Sequence, residues 1–175
     1  DTSAMLDDLM QPPTEAEIAL VASEFSQQTY ACEDTDIEVL DTRSGQFADF
    51  SLVAYHSDGL RIYGIVTQPK NVGHYPILLY NHGGESGLTT TELDHPLSFA
   101  FAQVASSFRS EPVFWFGETF VSDGAPSTWD RDVRDALVML SCAERLSDAD
   151  PSRVVTFGGS RGGAVSLLAA IRMPD

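Results

Sequence analysis

The sequence predicts an α/β fold on a mostly parallel sheet, and three observations carry that expectation. Short continuous apolar runs at 76–80 (PILLY), 112–116 (PVFWF) and 153–157 (RVVTF) read as strands buried on both faces. Between them, apolar residues recur at helical spacing, so strand and helix alternate as in parallel strands joined by right-handed crossovers. The composition, 43% hydrophobic and 21% charged over 175 residues, suffices for one domain with a sizeable core.

Taken in order, Thr14 and Glu17 form a capping box, and Ile18, Val21, Ala22 and Phe25 follow at helical spacing. This predicts a peripheral helix ending near Gln28. Ile37 and Val39, then Phe50, Leu52 and Ala54, then Leu60, Ile62, Gly64 and Val66 alternate with polar residues. These are three strands, the last two an antiparallel hairpin turning at Ser57-Asp58-Gly59. After the run at 76–80, Asp94 and Pro96 open an expected helix with Leu97, Phe101, Val104 and Phe108 on one face. A further helix starts at Ser127 and carries Val133, Leu137, Leu140 and Ala143, and a last one runs over 164–173. Residues 1–49 are therefore read as an N-terminal helix and first strand, and residues 50–175 as the α/β unit, with helices on both faces of its sheet.

Charge and cysteine content narrow the partners. Twenty-six acids against ten Lys and Arg give a net charge of −16, which repels nucleic acid. No apolar run is long enough to span a bilayer. The first residue is Asp rather than Met, so a leader removed upstream, and an extracellular or periplasmic location, are expected over a cytoplasmic one. Cys32 and Cys142 match no zinc spacing, and no two of His56, His74, His82 and His95 stand four apart, so no metal is expected. The cysteines are read as buried free thiols in preference to a disulfide. Glu85, Glu92, Asp94 and His95 read as a solvated loop rather than a calcium site, Asp130, Asp132 and Asp135 as acids at a helix start, and Trp115 and Trp129 as core or rim.

The chemistry concentrates between the last strand and helix, where Gly158-Gly159-Ser160-Arg161-Gly162 matches the G-x-S-x-G nucleophile-elbow pattern. A sharp strand-to-helix turn holds such a serine in strained geometry, and glycine on either side avoids collisions with the neighbouring backbone. Ser160 is the expected nucleophile. A second motif, Asn81-His82-Gly83-Gly84, directly follows the strand at 76–80, where a flexible loop can bring a backbone N–H to the substrate oxygen. Gly84 and Arg161, through their backbone N–H groups, are the expected oxyanion hole, each donor being worth about 3 kcal/mol in the transition state. His82 is expected to brace the loop rather than act as base.

With these motifs in place, residues 50–174 resemble the first half of an α/β-hydrolase catalytic domain, most closely the prolyl oligopeptidase and dienelactone hydrolase branch. The stretches that carry the likeness are SDGLRIYGIVTQP (57–69), YPILLYNHGG (75–84), WDRDVRDALVML (129–140) and DPSRVVTFGGSRGG (150–163). The resemblance implies a serine hydrolase that forms an acyl-enzyme on peptides or carboxylic esters and needs no cofactor. One departure is that residues 117–124, after the run at 112–116, lack the Arg-Gly-rich segment usual in the family. Another is that residues 1–49 hold no propeller.

In that family the triad runs Ser, then Asp or Glu, then His along the chain. Residues 161–175 contain no histidine, and their one acid, Asp175, follows the helix directly. Loss of a triad member typically costs on the order of a million-fold in turnover. The expectation is therefore a C-terminal half present as a second chain, produced by cleavage after Asp175, that supplies the Asp and His and covers an apolar edge left by the strand at 153–157. The alternative is a non-catalytic half-domain that binds an acyl ligand or a partner.

Overall fold

A computed structural model describes residues 11–32, 37–143 and 149–173. Helix α1 (Glu15–Ser26) opens with the predicted capping box: Thr14 Oγ1 accepts from the Glu17 amide at 3.3 Å, and the Glu17 carboxylate accepts from the Thr14 amide at 2.7 Å. None of its residues is buried, as expected of a peripheral helix. Strands β1 (Ile37–Ser44), β2 (Ala48–Ser57) and β3 (Leu60–Pro69) form an antiparallel meander, with the β2–β3 hairpin turning at Asp58 and Gly59, both at positive φ. Next come β4 (Tyr75–Asn81), a two-residue β5 (Leu88–Thr89), a short helix α2 (Thr90–Leu93) and a 3₁₀ turn (Pro96–Phe99). Strands β6 (Ala102–Ser106), β7 (Pro112–Trp115) and β8 (Glu118–Val121), helix α3 (Asp130–Ala143), strand β9 (Ala149–Gly158) and helix α4 (Arg161–Arg172) complete the chain order.

Six strands form the main sheet in the order β1-β2-β3-β6-β4-β9, antiparallel up to β6 and parallel across β6, β4 and β9. One face packs Val53, Tyr55, Ile62, Ile77, Leu79 and Val104 against α3 and α4. The other packs Phe50, Leu52, Ile65 and Ala105 against Leu88, Val113 and Trp115 of the separate small sheet β5-β7-β8. Among the described residues, both long core helices thus share one face, where helices on both faces were expected.

Two element assignments change. Residues 102–106 form a strand rather than a helix, buried along its whole length between β3 and β4. The spacing of Leu97, Phe101, Val104 and Phe108 imitates a helix, but Gln103 stands in the strand with its backbone and side-chain amide N–H groups engaged. Its amide donates to Thr67 Oγ1, and its Nε2 to the Leu93 carbonyl and Ser98 Oγ at 2.8 and 2.6 Å. Pro112–Trp115 of the run at 112–116 is a strand of the small sheet and not a member of the parallel sheet, with Phe114 in it and Phe116 just after it exposed. The parallel strand preceding α3 is therefore β6, and the segment that follows it, Ser107-Phe108-Arg109-Ser110, does carry an arginine.

The cysteines also differ from expectation. Cys32 and Cys142 form a disulfide, which ties the segment after α1 to the last turn of α3. The expected buried free thiols are therefore not found, and a separation of 110 residues gives no sequence sign that the two meet.

Candidate active site

Three parallel strands set the site, because their C-terminal ends leave β4 and β9 side by side, Asn81 opposite Gly158. From there β9 turns into α4 within two residues. Ser160 occupies the N-cap position at φ 53°, ψ −121°, a left-handed geometry that costs a non-glycine residue on the order of 1–3 kcal/mol and persists only when its surroundings enforce it. The enforcement is visible at the flanking glycines. A Cβ on Gly158 would lie 2.5 Å from the Asn81 carbonyl oxygen, and one on Gly162 would overlap that same oxygen. Asn81 Nδ2 meanwhile donates to Ser166 Oγ at 3.0 Å and Thr156 Oγ1 at 3.3 Å, pinning the end of β4 to both α4 and β9. Ser160 itself is exposed.

The glycine loop packs directly on this turn. A Cβ on Gly83 would come within 2.9 Å of the Gly159 carbonyl oxygen and 3.7 Å of Ser160 Cβ. Gly84 adopts φ 68°, which glycine alone reaches without strain. At the start of α4, Gly163 is the first amide bonded back, to the Ser160 carbonyl at 3.0 Å, so the preceding amides, Arg161 among them, stand ahead of the helical ladder. The structure thus brings Ser160, the Gly83-Gly84 loop and the first turn of α4 to one place.

His82 lies beneath the loop, fully buried, with its ring 4.5 Å from that of Phe108. Its Nδ1 meets the Gly83 carbonyl at 3.3 Å, while its Nε2 lies 3.5 Å from Glu111 Oε2, and neither of those two atoms has a hydrogen-bond partner. Burial holds the His82 pKa below its usual value, against the pull of the Glu111 charge. Among the described residues no contact joins an imidazole to Ser160.

The sequence reading missed the side chain of Arg161. It is buried, and its guanidinium donates through Nε and Nη2 to both oxygens of Asp132 at 2.8 and 2.9 Å, and through Nη1 to the Gly84 carbonyl at 2.8 Å and to Glu111 Oε1 at 2.5 Å. The ring of Phe108 lies beneath it, 4.9 Å away. Asp132, read as an acid at a helix start, is thus a fully buried ion-pair partner. Asp135 is another: it takes a two-pronged pair from Arg109, which also reaches Asp58 at 2.8 Å. Of the acids weighed for calcium, Glu92 caps α2 through the Thr89 amide, and Asp94 accepts from the Gln46 and Phe47 amides. Trp115 is core and Trp129 half exposed.

A sheet whose parallel half ends in an exposed serine at a strand-to-helix turn, beside a glycine loop, defines an α/β-hydrolase-type domain, and the comparisons with known proteins agree. No protein-family model matches the chain. It is 27% identical over 124 residues to the uncharacterized peptidase YtmA of Bacillus subtilis (strain 168), a match spanning 69% of this chain and 45% of that protein. It is 24% identical over 104 residues to the acylamino-acid-releasing enzyme of Arabidopsis thaliana, spanning 57% of this chain and 13% of that protein. Among solved structures, acetyl xylan esterase 1 from Thermoanaerobacterium sp. JW/SL YS485 superposes with a TM-score of 0.56 at 22% identity, covering 79% of this chain and 49% of that one. A cold-adapted esterase from an Arctic intertidal metagenomic library gives a TM-score of 0.56 at 15% identity, covering 76% and 60%. The chain thus spans less than half the length of these curated relatives.

Proposed function

We propose that the protein containing this chain is a serine hydrolase that cleaves carboxylic ester or peptide acyl bonds through an acyl-enzyme on Ser160. The observation that carries the reading is the backbone of Ser160, left-handed and exposed at the head of α4, with the Gly83-Gly84 loop against it. Strain of that kind needs a reason, and presenting a hydroxyl where a carbonyl can approach is one. In this reading Ser160 Oγ attacks the carbonyl carbon and gives its proton to a histidine. The Gly84 and Arg161 N–H groups hold the oxyanion, and the protonated histidine returns the proton to the leaving group. Water then hydrolyses the acyl-serine by the same route. The relatives YtmA, an uncharacterized peptidase, and the acylamino-acid-releasing enzyme support this class over a non-catalytic binding module.

The triad acid and base come, in this proposal, from polypeptide outside these 175 residues, either continuous with the chain or separate from it. Two facts support that assignment. The match to YtmA takes in only 45% of that protein. Strand β9 forms one edge of the main sheet with Val154, Val155 and Phe157 exposed, beside Leu167 and Ile171 of α4, which is the apolar edge expected where further strands would pair. The test is ester turnover by the full-length protein with Ser160→Ala. Loss of roughly a million-fold in kcat is expected, and retained turnover would put the nucleophile elsewhere.

A further inference from the structure

We propose that the side chain of Arg161 is a positioning residue that sets the spacing of the oxyanion hole, a role separate from that of its own backbone N–H. The inference rests on the hydrolase reading of Ser160. Its ground is the way one guanidinium joins three segments distant in sequence: Asp132 in the first turn of α3, Glu111 before β7, and the Gly84 carbonyl in the loop after β4. The two expected donors stand on different elements, Gly84 on a loop and Arg161 on a helix. The packing of Gly83 against the Gly159 carbonyl brings the two elements together but does not by itself hold Gly84, at φ 68°, in register with Arg161. The Nη1 bond to the Gly84 carbonyl at 2.8 Å does, because it runs from the donor residue of the helix to the donor residue of the loop.

The guanidinium is itself held. Asp132 grips it with two parallel bonds, Glu111 accepts a further bond from Nη1, and the Phe108 ring closes its face. Such a planar fork cannot be replaced by the single ammonium of a lysine, which could satisfy the acids or the Gly84 carbonyl but not keep all in one plane. Gly84 is also the residue that most needs holding, since glycine at φ 68° has the widest choice of alternative conformations.

The test uses the full-length protein and a pair of substrates, phenyl acetate and its thionoester. Sulfur accepts hydrogen bonds weakly, so a defect confined to the oxyanion hole shows on the oxygen ester and is muted on the thionoester, while a general loss of active protein lowers both alike. Arg161→Lys is expected to lower kcat for phenyl acetate about 30-fold, with KM within about twofold, and to lower thionoester turnover less than about threefold. Asp132→Asn, which keeps the shape but loosens the grip on the guanidinium, gives the same pattern at smaller amplitude and serves if the lysine variant does not fold. Equal losses on the two substrates, or an unchanged kcat, would overturn the positioning role. Retention of turnover by Ser160→Ala in the same assay would instead remove the hydrolase reading beneath it.

Discussion

Burial decides what His82 can do. The imidazole has no exposed surface and a depressed pKa, so it is neutral at pH 7 and holds the loop by packing on Phe108. The sign of its pH linkage follows. Its folded pKa lies below the unfolded one, so acid protonates the unfolded chain first, and stability present above about pH 6.5 declines as pH falls towards the folded value. Urea unfolding of wild type and His82→Gln at pH 7 and pH 5 checks this, the expected result being a smaller gap between the two at pH 5. The glycines make a sharper claim. Gly162→Ala places a methyl group on the Asn81 carbonyl and should cost about 3 kcal/mol and abolish ester turnover, whereas Gly159→Ala meets nothing within 4 Å and should be nearly silent in stability. At this scale the sequence was legible wherever a residue's role depends on chain neighbours. Ser160, Gly162 and the Asn81-His82-Gly83-Gly84 motif stand out as spacing. The Arg161 clamp does not, because its partners Gly84, Glu111 and Asp132 are 77, 50 and 29 residues away, and an arginine after a serine carries no sign that it is buried.

Elements were legible when a single period dominated. The hairpin of β2 and β3, the apolar run of β4 and the amphipathic α3 are each set by local pattern. Strand β6 was not, since its five residues mix Gln103 and Ser106 with apolar neighbours and only tertiary bonds to Thr67, Leu93 and Ser98 make burial of Gln103 tolerable. The disulfide belongs to the same category. It closes a loop of 110 residues between the segment after α1 and the end of α3, and chain-entropy reasoning gives such a link a stabilisation of about 2–5 kcal/mol. The double replacement Cys32→Ser with Cys142→Ser should lower the urea midpoint accordingly, and reducing agent should have the same effect on wild type and none on the variant. An unchanged midpoint in both would mean that the link constrains little.

On the scale of the whole molecule, the proposed reading has the described elements build the nucleophile side of an α/β-hydrolase-type site, beside the apolar edge of β9. Strand β9 ends two residues before Ser160, yet has β4 on one side only among the described residues, and α4 exposes Leu167 and Ile171, with Met173 just past its end. Nor does any imidazole among the described residues contact the serine. The 175-residue chain alone should therefore turn over esters on the order of a million-fold more slowly than the full-length protein, and comparable rates would mean that the base lies within this chain. The central claim, that Ser160 is the nucleophile, is tested most directly by treating the full-length protein with a fluorophosphonate, digesting with trypsin and locating the added mass. One adduct on the peptide VVTFGGSR, residues 154–161, whose one serine is Ser160, is the predicted result. An adduct on any other peptide, or turnover lost with no adduct on this one, would contradict it.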